Sequence, residues 1–129
     1  MNLHKDGSLP ENTKSVFVFG SNLAGNHGAG AALVAKQKFG AIQGEGIGRR
    51  GMSYAIPTKD KKIRTLPRAI VSVYIADFCK YTRDNPGLEF FITRVGCGLA
   101  GFKDSDIAPL FKTANKANCN FPEEWSSFL

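Results

Sequence analysis

Side chains that bind metal are scarce in this chain. Its two histidines, His4 and His27, and three widely spaced cysteines, Cys79, Cys97 and Cys119, contain no Cys-x-x-Cys pair. That argues against a conventional zinc site and against a disulfide framework, so free thiols, no metal and no cofactor are expected. No apolar run approaches the roughly 18 residues of a bilayer-crossing helix, and Met1–Asp6 lacks the apolar stretch of a secretory leader. A soluble, cytoplasmic protein without a membrane partner is the expectation. Charge never forms a block of five or six residues of one sign, so there is no charged tail of the kind that usually marks a disordered arm.

What is present fits one globular domain. The chain has 129 residues, 43% hydrophobic and 22% charged, a balance that supports a buried core and leaves little length for a second one. Seventeen basic against eleven acidic residues give a formal charge of +6, which favours anionic partners such as nucleotides or nucleic acid. The densest basic stretch, residues 59–68, serves equally well as a solvated surface.

Residues 1–14 are polar and turn-rich and read as an arm, leaving 15–129 as the domain. Val16-Phe17-Val18-Phe19 reads as a strand buried on both faces. A glycine-rich segment from Gly20 to Gly30 follows, then good helix formers from Ala31 to Phe39, stopped by Gly40. Met52–Ile56 alternates like a strand and is expected to halt at Pro57. Lysine-rich residues 59–64 form a surface turn. Between Leu66 and Arg83 the apolar residues Leu66, Ile70, Val71, Tyr74, Ile75, Phe78 and Tyr81 share one helical face. A second buried strand, Phe90–Val95, runs into a second glycine loop, Gly96–Gly101. Ile107, Leu110, Phe111 and Ala114 then repeat at helical spacing, with Asp106 as the N-cap that best tolerates Pro109. Residues 118–122 suggest a short edge strand, and Trp125, Phe128 and Leu129 anchor the tail. Alternating strands and helices predict an α/β fold: a single three-layer domain, a mostly parallel sheet with helices on both faces.

The two glycine loops carry the chemistry. In an open α/β sheet, ligands sit beyond the carboxyl ends of the strands, where both loops are expected to emerge. Glycine lets main-chain N–H groups approach an anion, and a helix N-terminus adds free donors and partial positive charge. Gly28, Ala29 and Gly30, facing Gly98 to Gly101, form a candidate diphosphate cradle. No Gly-Lys-Ser/Thr closes the first loop and it lacks the standard dinucleotide fingerprint, which removes the usual kinase, GTPase and dehydrogenase readings. Within the loops, His27 is a candidate general base and Asn22 a group to orient water or a ribose hydroxyl; the alternatives are a histidine that is exposed or bonds the loop backbone, and a turn asparagine bonding its own backbone. Cys97, ahead of a helix start, is a candidate nucleophile or simply a small residue beneath the loop.

Phe19-Gly20-Ser21-Asn22-Leu23-Ala24-Gly25-Asn26-His27-Gly28-Ala29-Gly30-Ala31-Ala32 resembles the first loop of macro domains. Val95-Gly96-Cys97-Gly98-Leu99-Ala100-Gly101-Phe102 is similar to their second, phosphate-holding loop, and Gly51–Pro57 to the strand after their first helix. The likeness spans roughly residues 15–121 and is strongest to a compact macro-like family of phages and bacteria without an established activity. It implies binding of ADP-ribose or a related nucleotide, with Gly20, Ser21, Gly25 and His27 in the first loop's share of the site. Asn22 would lie at the distal ribose, Gly96, Cys97, Gly98, Leu99, Ala100 and Gly101 around the diphosphate, and Phe102 near the adenosine. The chain departs from the pattern at Ala29, where hydrolytic members often carry an acid, and at Ala100, where an aromatic is usual. The early adenine-reading aspartate has only Asp6 as a distant counterpart.

Three functions follow as expectations. The first is binding of ADP-ribose or a derivative between the loops. The second is hydrolysis of ADP-ribose 1″-phosphate or of an ADP-ribosyl bond, with His27 and Asn22 handling proton and water. The third is a nucleic-acid module built on residues 59–68, although that stretch lacks the interleaved aromatics of a stacking platform.

Overall fold

The computed structural model describes residues 1–129 as a six-stranded sheet with helices on both faces. The strands are β1 (Asn2–His4), β2 (Val16–Asn22), β3 (Gly48–Arg50), β4 (Ser53–Lys59), β5 (Phe90–Ile92) and β6 (Cys119–Pro122), in the spatial order β1-β6-β5-β2-β4-β3. Every pairing is parallel except that of β3 with β4. Helix α1 (Gly30–Lys38) joins β2 towards β4, and α2 (Arg68–Asp84) carries the chain from β4 back across to β5, on the other side of β2. Strand order therefore reverses at β2, and a crevice opens at its carboxyl end.

The alternation within β2 divides the core. Val16 and Val18 face the larger cluster with Ile75, Phe78, Phe90, Ile92 and Phe111, while Phe17 and Phe19 face α1 through Ala32 and Ala35. Small alanines let α1 lie close on the sheet. On α2, Val71, Ile75, Phe78 and Cys79 are buried, but Ile70, assigned by spacing to the same face, is exposed. Trp125 is fully buried in the closing 3-10 turn, Glu123–Phe128.

Several element boundaries depart from the sequence reading. β4 passes through Pro57, which lies beyond the Ser53–Ala55 stretch paired with β3; the register with β2 slips just after it, Ser21 pairing with Pro57 and Asn22 with Lys59, so Thr58 is the extra residue. β5 ends at Ile92 rather than Val95. The last helix is one α-turn, α3 (Asp104–Ile107), running into a 3-10 turn, Ala108–Phe111. Asp106 lies inside α3 rather than capping a longer helix, and its carboxylate accepts the Lys103 N–H. Residues 119–122 are not an edge: the arm supplies β1, which covers β6 and becomes the edge itself.

Candidate functional site

The ends of β2, β4 and β5, the N-terminus of α1 and the second glycine loop enclose a cleft of about 590 Å³. Its floor is Gly20, Ser21 and Asn22 at the end of β2. Gly28, Ala29 and Gly30 form one wall, and Gly96, Cys97, Gly98, Leu99 and Ala100 the other. The two loops start almost in contact, since a Cβ on Gly20 would stand 3.3 Å from the Gly96 nitrogen.

Both walls present main-chain donors. The N–H groups of Gly28 and Ala29, and those of Gly98, Leu99 and Ala100 opposite, have no acceptor within the chain. Ala29 is the extended N-cap of α1, whose first turn carries no acidic residue. The first helical bond runs from Leu33 N–H to Ala29 O, so the preceding amides of the turn also lack helical acceptors. The cleft is thus lined by oriented amide dipoles, with the positive end of a helix against it.

The first loop is held by its own side chains. The Asn22 amide accepts the Asn26 N–H at 2.9 Å and donates to Asn26 O at 3.0 Å, the turn role of asparagine, although the residue also lines the cleft. The Ser21 hydroxyl donates to Gly46 O, tying in the segment before β3. Gly25, His27, Gly101 and Phe102 lie outside the lining. His27 is neither exposed nor aimed at the cleft. It is fully buried, with Nε2–H donating to Glu45 O at 2.9 Å and its ring set edge-on to Phe19, and it does not line the cleft where a general base would act. The Phe102 ring lies beside Gly96 against the main core and does not line the cleft. Burial pushes the Cys97 thiol up to about 12, with Asp104 adding to the shift. Its Sγ–H faces Val95 O at 3.5 Å, and burial works against the thiolate that a nucleophile needs.

Sequence reasoning named Asp6 only as a distant counterpart and missed Arg94 beside it, as well as Thr58 and Ile63 at the other end of the cleft. At the β5 end, Arg94 grips Asp104 with Nε and Nη2 at 3.0 and 2.6 Å and reaches Asp6 with Nη1 at 3.2 Å. Trp125 Nε1–H completes the cluster on Asp104 at 2.7 Å. The Arg94 guanidinium, with the Trp125 donor, holds the Asp104 carboxyl below its usual range. At the β4 end, Thr58, Lys59 and Ile63 line the rim, and Lys59 makes no ion pair. The available signal was positional: Thr58 and Lys59 close β4 and Arg94 lies two residues beyond the end of β5, all at the carboxyl edge of the sheet.

No group of three or more histidine, cysteine or acidic side chains is gathered as a metal site, no helix is long and apolar enough to cross a membrane, and the three cysteines are free thiols. No protein-family model, curated protein or solved structure matches this chain.

Proposed function

We propose that the cleft binds a nucleotide diphosphate of the ADP-ribose type, as the resemblance of both loops to those of macro domains implies. The observation that carries this reading is the pair of facing walls, Gly28–Ala29 and Gly98–Ala100, each with main-chain N–H groups that have no acceptor in the chain. A diphosphate offers acceptor oxygens on both sides and suits such a cradle without a lysine or a metal. Asp6, anchored by Arg94, lines one end of the cleft, where its carboxylate would accept from the amino group of a base. Binding is favoured over hydrolysis because the groups suggested for catalysis are otherwise engaged: His27 is buried behind the loop, the Asn22 amide is spent on the Asn26 turn, and the Cys97 thiol stays protonated.

Titration calorimetry with ADP-ribose at moderate salt tests the reading. Saturable heat is expected, and a folded sample that gives none at millimolar nucleotide refutes it. Should an oligonucleotide bind instead, with affinity falling steeply as salt is added and without competition from ADP-ribose, the basic-module reading takes its place.

A further inference from the structure

The arm reaches the cleft through Asp6, yet little of it is buried. Of residues 1–14 only His4 and Pro10 are withdrawn from solvent, each in part, and the large apolar side chains Met1, Leu3 and Leu9 are exposed. The backbone pairing of β1 spans three residues. The Asp6–Arg94 ion pair is open to solvent, and a pair of that kind holds little by itself; the bond from Asn12 to Glu89 is exposed as well. The firm attachment is His4, whose ring stacks on Phe91 with centroids 3.8 Å apart and 19° between the planes, while Nδ1–H donates to Asn120 Oδ1 at 2.7 Å. Arg94 does not need the arm, since Asp104 grips it with two bonds. Asp6 does: it lies two residues beyond His4, and its carboxylate bonds Arg94 alone.

We propose that His4 is a positioning residue for the cleft: its neutral ring docks the arm and so holds the Asp6 carboxylate in place, and a proton taken up by the ring releases both. The inference rests on the diphosphate reading, in which Asp6 accepts from a base, and adds regulation to it. The charged groups that face the ring are Asp6 on the arm and Glu124 in the closing 3-10 turn; β5 presents Phe91 and β6 presents Asn120, neither of which titrates. Burial lowers the pKa of the ring and outweighs the opposing pull of the Asn120 bond and of the two acids. The undocked ring therefore takes up a proton at higher pH than the docked one, so docking is strongest above about pH 6.5 and weakens as pH falls through the lower, docked value.

Calorimetry with ADP-ribose at about pH 7.5 and about pH 5 separates the proton from the packing, because neither phosphate of that ligand titrates in the interval. His4→Phe keeps a stacked ring that takes up no proton, and His4→Ala keeps no ring. With its arm free, His4→Ala should bind roughly tenfold more weakly than wild type at the higher pH, the scale of one hydrogen bond to a charged group. The wild type should move towards that loss on acidification, weakening at least about threefold, while His4→Phe changes by less than about twofold. His27, the other histidine, is common to both proteins and cancels. Hydrogen exchange of the β1 amides, compared with His4→Phe at each pH so that the intrinsic pH dependence drops out, should quicken on acidification in the wild type alone. Wild-type affinity that does not change with pH, or that changes in parallel with His4→Phe, overturns the assignment and leaves the diphosphate reading standing. Affinity lost at low pH while the β1 amides stay protected places the proton elsewhere and overturns it as well. A wild type that binds no ADP-ribose at the higher pH refutes the diphosphate reading and this inference with it.

Discussion

His27 shows how a residue with catalytic chemistry becomes a structural peg. Its Nε2–H reaches across to Glu45 O, its main-chain N–H donates to the Gln43 side chain, and its ring rests on Phe19, so it fastens residues 43–46 beneath the first glycine loop. The close approach of this segment to the end of β2 explains Gly46, where an added Cβ would lie 1.9 Å from Asn22 O. Gly46→Ala is therefore expected to destabilise the fold by at least about 2 kcal/mol in urea denaturation, since backbone rather than a movable side chain must yield. Gly98 is the opposite case: it lines the cleft, and a Cβ there meets nothing within 4 Å. Gly98→Val should keep stability within about 0.5 kcal/mol of wild type yet weaken ADP-ribose binding in the calorimeter, because its bulk holds a ligand off the amides. Sequence alone does not separate these glycines; what a side chain would meet depends on segments distant along the chain.

At the scale of elements, β1 is the least expected and has a titratable group to report on it. His4 stacks on Phe91 with ring centroids 3.8 Å apart, and its Nδ1–H donates to Asn120 Oδ1. Burial lowers its pKa from the ordinary value, against the opposing pull of the Asn120 bond and of Asp6. The unfolded chain then takes up the proton at higher pH than the folded one, so this contribution is complete above about pH 6.5 and is lost as pH falls through the folded value. Melting temperatures measured from pH 7 down to 5 should fall more steeply for the wild type than for His4→Phe; parallel curves would show that the docking of β1 is not linked to this proton. The long buried elements were legible. β2 carries a continuous apolar run and α2 a strong helical periodicity, and the structure places both where the sequence pattern does, to within a few residues at their ends. β1, the bulge at Pro57 and the 3-10 ending of α3 were not, because each depends on a partner: β6, the offset with β2, and the core beneath Phe111.

For the molecule as a whole, the tail and the cleft are mechanically joined. Trp125 is fully buried against Phe111, and its Nε1–H bonds the same Asp104 that holds Arg94, which in turn holds Asp6. Trp125→Ala should cost about 3–5 kcal/mol in urea denaturation, the scale for removing a large aromatic from a core. It should also free Arg94 to shift, so that any nucleotide affinity falls alongside stability. Trp125→Phe retains most of the packing but no donor, so it should lose less stability and show whether the Asp104 bond by itself sets the Arg94 end of the cleft.

Local pattern alone determined the α/β class, the doubly buried β2, the amphipathic α2 and two glycine-rich turns at strand ends, because periodicity and the absence of a Cβ are properties of adjacent residues. The tertiary structure decided which atoms face the cleft. His27 is buried behind the cleft, Asn22 and Cys97 line it with side chains bonded to the protein's own backbone, and Arg94, Asp6, Lys59 and Ile63, from three separate stretches of chain, reach its two ends. That division follows from strand order: the crevice forms where the chain crosses from β4 over to β5 on either side of β2, and neither residue type nor spacing within a loop encodes that crossing.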